Sequence, residues 1–420
     1  MTRTEPLEPI HWRPVFSALC AVLVGIGFSR FAYAPLVPAL ITESWFDPAE
    51  AGYLGAANFA GYLAGAAAAG AMARRMGSRA ALRLMMIVAS ASFFACAAPL
   101  SFLWFFAWRF AAGLAGGVLM VLAASAVLPA IAAKRRGLAG GLIFTGVGVG
   151  IAASGTAVPF LLRLGLSETW VALGAAAALA TVAAWGGWPA PRAPSLSPAL
   201  AASNDSLVSR AALAPLAIAY ALAAVGLVPH MVFLVDYTAR GLGFGIETGS
   251  IYWVLFGMGA LAGPICAGRL ADLIGFRSAL VAALAVSAVA TGLPAVSGHS
   301  VPLGLSSLLV GAFVPGIVPL VLGRIHEIIP SEEARREAWG RATIAFAAGQ
   351  AGGGFLFSFI FAQSGGSYPL LFGLGAAALA ISLVISLGAS ALPVAQDSEA
   401  PREGSIVDLD QLKFPAEDRQ

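Results

Sequence analysis

The chain of 420 residues is 59% hydrophobic and 11% charged, and its mean hydropathy is +0.86. A typical soluble domain carries about 25% charged residues, and soluble cores stop growing at about 250–300 residues. A soluble protein could not cover this much apolar surface, so the composition predicts a chain that faces lipid. The formal net charge of +3 is too small to indicate a nucleic-acid partner.

The reactive side chains are few and scattered. Cys20, Cys96 and Cys266 lie far apart in apolar runs and are interpreted as small hydrophobic residues rather than a disulfide framework or a metal site. With four histidines in the whole chain and few carboxylates in the apolar runs, convergent catalytic groups are not expected. The sequence therefore predicts neither an enzyme nor a bound cofactor or metal.

Apolar runs long enough to cross a bilayer, which takes about 20 residues, follow one another along the chain. They are continuous, rich in Ala, Leu and Gly, and do not alternate as barrel strands would, so they predict an all-α membrane protein. The twelve runs, called spans one to twelve below, are 15–41, 50–73, 80–100, 103–132, 138–163, 169–189, 211–238, 248–271, 278–297, 302–325, 341–364 and 368–392.

The distribution of Lys and Arg predicts the orientation. With a cytoplasmic N-terminus, 20 of the 24 basic residues fall on the inner side, and only Arg163 and Arg240 fall on the outer side. Basic loops stay cytoplasmic. Both termini are therefore expected in the cytoplasm of a bacterial-type inner (plasma) membrane. The two remaining basic residues, Arg30 and Arg109, lie inside spans one and four.

The chain divides at its longest polar interruption. Residues 190–210 are rich in Pro, Ser and Ala and predict a cytoplasmic linker. We therefore expect a six-helix bundle in 1–189, a second in 211–392, and an acidic cytoplasmic tail in 393–420.

An internal repeat supports this division. GAMARRMGSRAAL (70–82) follows span two, and GRLADLIGFRSAL (268–280) follows span eight, at an offset of 198 residues. Two halves with the same inner loop indicate two bundles related by an axis along the membrane normal, with a central cavity between them.

The repeated loop resembles the signature of the major facilitator superfamily, Gly-x-Leu-Ala-Asp-x-x-Gly-x-Arg/Lys. The second copy matches this pattern, whereas the first has Arg74 in place of the acid. Arg109 and Gly113 are similar to the family's Arg-x-x-x-Gly motif in span four. GLAGGLIFTGVGVGIAASG in span five resembles its third motif without the usual Gly-Pro pair. The resemblance implies that the loops take part in gating, and the residues concerned are Gly70, Gly77, Arg79, Gly268, Asp272, Gly275 and Arg277.

Two further segments are similar to one branch of this superfamily. GIGFSRFAYAPLVP (25–38) and VPHMVFLVDYTARGLG (228–243) resemble the YbfB/YjiJ branch. The resemblance implies twelve helices in two bundles and transport by alternating access, in which the bundles rock about a site near the middle of the membrane.

Arg30 and Arg109 are the first candidates for that site. At 1.5 Å per residue, Arg30 lies about 22 Å from the inner end of span one, and Arg109 lies about 9 Å below the outer end of span four. In a core about 30 Å thick these depths nearly agree. No acid lies deep within a span of the first half, so a substrate anion could supply the counter-charge. Alternatively, each arginine bonds helix carbonyls or reaches outward to water.

Other polar groups within the spans could line the cavity. His230 is either a proton relay or a hydrogen-bonded structural histidine, and Asp236 is either a second proton-coupling candidate or a boundary acid. Weaker candidates are Tyr33, Asn58, Tyr220 and Gln350.

These features predict a monomeric secondary transporter in contact with membrane lipids. A small organic anion such as a carboxylate is the expected substrate, and a proton is a candidate coupling ion. Within the transporter class, the alternative is efflux of drug-like or amphiphilic compounds. From a different class, a membrane sensor or a lipid-handling protein on a transporter scaffold remains an alternative.

Overall fold

A computed structural model describes residues 12–132, 135–189, 205–329 and 331–388, and within these ranges it contains helices and no strand. The all-α prediction is confirmed. Most of the expected linker, at 190–204, and the acidic tail at 393–420 lie outside the described residues.

The first half begins with a broken helix. α1 (Trp12–Val22) continues as a π-helical turn (Leu23–Phe28), a 3-10 segment (Phe31–Leu36) and α2 (Val37–Thr42). The remaining helices are α3 (Pro48–Met76), α4 (Ser78–Ala95), α5 (Phe102–Val127), α6 (Arg136–Leu161) and α7 (Leu166–Ala184).

The second half has longer helices. α8 (Asp205–Asp236) runs into a π-helical turn (Tyr237–Gly241). It is followed by α9 (Gly245–Val296), α10 (Ser300–Ile328), α11 (Glu332–Gln363) and α12 (Tyr368–Gly388).

Local sequence signals account for several helix ends. Asp47 caps α3 by accepting a hydrogen bond from the amide of Glu50, whose side chain bonds back to the Asp47 amide, and Pro48 occupies the first turn. Ser101 caps α5 by accepting a hydrogen bond from the amide of Trp104. Gly77 ends α3 at φ 80°, in the left-handed region that favours glycine.

Ten helices among the described residues are long and apolar enough to cross a membrane. Span one corresponds to the interrupted stretch Trp12–Thr42 rather than to one continuous α-helix. Spans eight and nine are joined in the 52-residue α9, which is interrupted at Gly275 by a non-helical conformation. Span two corresponds to α3, which is 29 residues long but is not among the ten. The count of twelve stays a prediction.

The repeat of 198 residues reappears in the packing of the helices. A Cβ atom added to Gly61 of α3 would lie 2.0 Å from the carbonyl oxygen of Phe110 in α5. A Cβ atom added to Gly259 of α9 would lie 2.1 Å from that of Leu308 in α10. The same correspondence links Gly65 with Gly263 and Gly113 with Gly311, each facing the equivalent carbonyl. The repeat thus sets the same close helix crossing in each half, at positions where only glycine fits.

Two helix pairs make the most extensive contacts between the two predicted halves. α3 packs on α11, where a Cβ atom at Gly354 would lie 3.0 Å from the Cβ atom of Ala56. α6 packs on α9, where a Cβ atom at Gly257 would lie 2.6 Å from the amide nitrogen of Ala152. At the predicted outer end of this second pair, Arg163 forms an exposed ion pair with Glu247 over 2.7 Å. Small residues therefore allow the halves to approach backbone to backbone.

Candidate functional site

The interruption in span one positions the candidate site. The amides of Ser29 and Arg30 donate to the carbonyl oxygens of Val24 and Ile26, and Pro35 has no amide hydrogen to continue the helical bonding. Such an interruption frees backbone carbonyls within the membrane, where they need other donors. The polar side chains around Ser29 supply them.

Arg109 and Asn58 donate hydrogen bonds to the freed carbonyl of Ser29. Arg109 Nη1 donates to Ser29 O over 2.8 Å, and Asn58 Nδ2 donates to the same oxygen over 3.3 Å and to Arg109 O over 3.2 Å. The Arg109 guanidinium carbon lies 4.1 Å from the ring centroid of Tyr33, whose hydroxyl donates to Ala51 O over 2.8 Å. Arg109 and Asn58 are both buried. This group joins α3 and α5 to the break in span one.

Arg30 has a different environment. Its Nη2 donates to Oε1 of Gln350, on α11 in the other predicted half, over 2.6 Å. Its guanidinium carbon lies 4.6 Å from the ring centroid of Phe59 and 4.5 Å from that of Tyr62, both on α3. Its Nε is buried without a hydrogen-bond partner. Arg30 is thus a cation whose hydrogen-bonded partner is a neutral amide.

His230 lies within the second half. It is fully buried, and its Nε2 lies 2.7 Å from Oγ of Ser306. Ser306 donates its own hydrogen to Ala290 O over 2.6 Å, so the histidine is the donor in the shared bond and its Nδ1 is the unprotonated nitrogen. Nδ1 is buried without a partner. The arrangement ties α8 to α9 and α10.

Asp236 forms an ion pair with Arg240 in the second half. Its two carboxylate oxygens accept hydrogen bonds from Nε and Nη2 of Arg240, over 2.5 and 3.0 Å, across the start of the π-helical turn. The hydroxyl of Tyr368 on α12 donates to Asp236 over 2.6 Å. The side chain of Asp236 is 1% exposed and that of Arg240 is 28% exposed. The pair therefore has one buried and one partly exposed partner.

The two loop copies share a backbone conformation. Gly77 has φ 80° and ψ 147°, and Gly275 has φ 81° and ψ 154°. Arg79 donates from Nη2 to Trp188 O over 2.7 Å and from Nε to Pro189 O over 3.2 Å, so the first loop holds the chain just after α7.

In the second copy, Asp272, Arg277 and Gly268 lie near the middle of α9, and the first two are exposed. Gly70 occupies the equivalent place in α3.

The structure sorts the predicted site residues into separate groups. Arg30 and Gln350 meet between the halves, whereas Arg109, Tyr33 and Asn58 surround the break in span one. The ring of Tyr220 packs against that of Phe346 in a tilted arrangement, with ring centroids 4.4 Å apart. His230 and Asp236 have their own partners within the second half. No group of three or more potential metal ligands occurs among the described residues.

Sequence reasoning missed the aromatic residues beside Arg30. Phe59 and Tyr62 follow Asn58 by one and four positions, so all three project from neighbouring faces of α3. That spacing, next to a polar residue inside an apolar run, was the available signal. Nothing in the sequence indicates that the carbonyl of Ser29 accepts these hydrogen bonds, because every residue has a backbone carbonyl.

Comparisons with known proteins agree with this architecture. Residues 22–387 match a family model described as an uncharacterised MFS-type transporter, YbfB. A solved variant of the nucleoside transporter NupG superposes with a TM-score of 0.74 at 12% identity, covering 89% of this chain and 99% of that one. A D-xylose–proton symporter gives 0.70 at 16% identity, covering 89% and 97%. No curated protein matches the chain.

Proposed function

Because the chain belongs to the YbfB-type family of the major facilitator superfamily, we propose that it is a secondary active transporter of a small organic anion, working by alternating access. The likeness to the two solved transporters supports an arrangement of two six-helix bundles around a central cavity. We place the bundles at 1–189 and 211–392, joined by the linker 190–210. The residues of the candidate site then indicate the class of substrate.

The observation that carries the anion proposal is the isolated charge of Arg30. Burying a cation in the hydrocarbon region costs about 2.5–3.5 kcal/mol even on the lenient insertion scale. Here the cation meets a neutral amide and two aromatic rings, and none of the described ion pairs includes it. A carboxylate substrate would supply the missing counter-charge. Arg30 lies between the predicted halves, so a substrate bound to it would contact both bundles.

The proposed function also includes a membrane location and a coupling ion. The Lys and Arg bias supports an inner-membrane location with both termini in the cytoplasm, and we take the transporter to be a monomer surrounded by lipid. A proton is the proposed coupling ion. Asp236 is the better candidate for it, since its partner Arg240 is partly exposed whereas His230 is fully buried.

The test is a ligand screen on purified protein, followed by flux into proteoliposomes. Thermal stabilisation of the wild type is measured against panels of organic anions, cations and neutral solutes. Arg30→Ala should weaken anion binding by roughly 10- to 150-fold, the equivalent of one charge-assisted hydrogen bond of about 1.5–3 kcal/mol. Arg163→Ala, the same change in an exposed ion pair, is the control and should bind normally. Stabilisation by cations or neutral amphiphiles alone would reject the anion and support amphiphile efflux.

A further inference from the structure

The edge of the Arg30 guanidinium that faces Gln350 is only half used. Nε–H and one Nη2–H lie on the same edge of a guanidinium, and a carboxylate binds such an edge through two parallel hydrogen bonds. In the structure, Nη2 donates to Gln350 Oε1, whereas Nε is buried without a partner. The amide presents one oxygen, which here accepts from Nη2 and not from Nε, whereas a carboxylate presents a separate oxygen to each donor. The edge is complementary to a carboxylate, and Gln350 fills half of it.

The flanking rings hold this edge in a fixed plane. The guanidinium carbon lies within 4.6 Å of the centroids of both Phe59 and Tyr62, and both rings are buried. Planar guanidinium groups stack on aromatic faces, whereas the ammonium of lysine has no comparable plane. A ligand can therefore approach Arg30 along the occupied edge rather than over its faces.

Arg109 is less accessible to a ligand than Arg30. It is 3% exposed, whereas Arg30 is partly exposed. Its Nη1 is bonded to Ser29 O and the ring of Tyr33 lies against its guanidinium, while its Nε, like that of Arg30, is buried without a hydrogen-bond partner. Direct pairing with a ligand is thus left to Arg30. A solute with two carboxylates would place its second negative charge in this low-dielectric region without a directly paired cation, which is strongly unfavourable.

We propose that the site takes a solute with a single carboxylate, and that this carboxylate displaces the Gln350 amide from the Nε/Nη2 edge of Arg30. The inference rests on the proposed function as an organic-anion transporter and narrows its substrate class. It also makes Gln350 a specificity-determining residue. Since Arg30 and Gln350 belong to different predicted halves, the displacement removes one bond between the bundles as the substrate enters.

The experiment compares matched acids and Gln350 variants of the full-length protein. Butyrate and succinate, and benzoate and phthalate, are compared by thermal shift and titration at a pH where every carboxylate is ionised. Each monocarboxylate should bind at least about tenfold more tightly than its dicarboxylate partner. Gln350→Ala removes the competing acceptor and should tighten monocarboxylate binding by about two- to tenfold, the equivalent of one neutral hydrogen bond.

Gln350→Glu supplies the edge with a carboxylate from the protein itself. This variant should melt at a higher temperature than the wild type without ligand, and monocarboxylates should no longer stabilise it. Gln363→Glu makes the same change at an exposed position on the same helix and should leave both properties unchanged. Equal or better binding of dicarboxylates, or Gln350 variants that bind like the wild type, would overturn the inference while leaving an organic-anion transporter in place. If neither kind of acid binds the wild type, the proposed function itself fails.

Discussion

Arg109 Nη1 donates a hydrogen bond to the carbonyl oxygen of Ser29 over 2.8 Å, which places a guanidinium from span four at the break in span one. The next residue, Arg30, points its own guanidinium toward α11. Two arginines that the sequence places at one depth therefore have different partners. Arg109 bonds the backbone within the first half, and Arg30 reaches across to the second.

The first prediction concerns this division of roles. Arg109→Ala should lower stability by about 1–3 kcal/mol, the cost of a buried acceptor that loses a partner, with a smaller effect on ligand affinity than Arg30→Ala. Asn58→Ala should also destabilise, and the two changes should not be additive because both side chains bond Ser29 O. Thermal melts and ligand titrations measure the two effects separately. An Arg109→Ala variant with normal stability and lost binding would show instead that Arg109 contacts the ligand.

The second prediction concerns His230. Its described partners, Ser306 and the ring of Phe372, belong to the second half. His230→Phe should lower stability by about 1 kcal/mol, the net value of one hydrogen bond, and should leave the pH profile of transport unchanged. The measurement is initial uptake into proteoliposomes between pH 5 and about pH 8, the range over which an ordinary histidine titrates. A flattened profile at unchanged stability would restore the proton-relay interpretation.

The third prediction concerns the ion pair of Asp236 and Arg240. Breaking a fully buried pair costs about 3–5 kcal/mol, and the partial exposure of Arg240 should reduce that figure. Asp236→Asn or Arg240→Gln alone should destabilise more than the double change, which leaves no buried charge unpaired. If Asp236 carries the coupling proton, Asp236→Asn should also abolish uphill accumulation while exchange across the membrane continues. Unchanged accumulation in a stable Asp236→Asn variant would remove Asp236 from the coupling step.

The fourth prediction separates the two loop copies. Arg79→Ala should destabilise the protein, since Arg79 holds the carbonyls of Trp188 and Pro189. Asp272→Asn should impair transport more than Arg74→Ala, because only the second copy has an acid that can accept charge-assisted bonds during the conformational change. Flux is compared in vesicles at matched expression. Equal and negligible effects of the Asp272 and Arg74 changes would leave these loops as topology signals.

The fifth prediction concerns orientation. Cysteines introduced at Ala49 and Ser300 should react with an impermeant thiol reagent added to intact cells, and a cysteine at Ser78 should not. Ala49 and Ser300 lie at the predicted outer ends of α3 and α10, and Ser78 lies in the predicted inner loop. The reverse labelling pattern would invert the topology.

The sequence predicted the helices and the repeat because both depend on local composition and spacing. Gly77 and Gly275, matched by the offset of 198 residues, share one backbone conformation. The π-helical turn in span one was not predictable, since it uses the same apolar residues as an α-helix, whereas Pro35 marks the 3-10 segment that follows it. The hydrogen bond from Arg30 to Gln350 joins residues 320 positions apart, so it depends on how the halves dock. Each residue was a candidate by itself, and only the fold pairs them.

The glycine crossings have a mechanical consequence. Where backbone rests on backbone, as at Gly61 on Phe110 and Gly259 on Leu308, no side chain can change rotamer to absorb a displacement. α3 therefore cannot slide along α5, nor α9 along α10, and each pair behaves as a stiff unit. The π-helical and 3-10 turns of residues 23–36 lack regular helical bonding and form the compliant segment beside them. Elastic deformation during the transport cycle should concentrate there, next to Arg30.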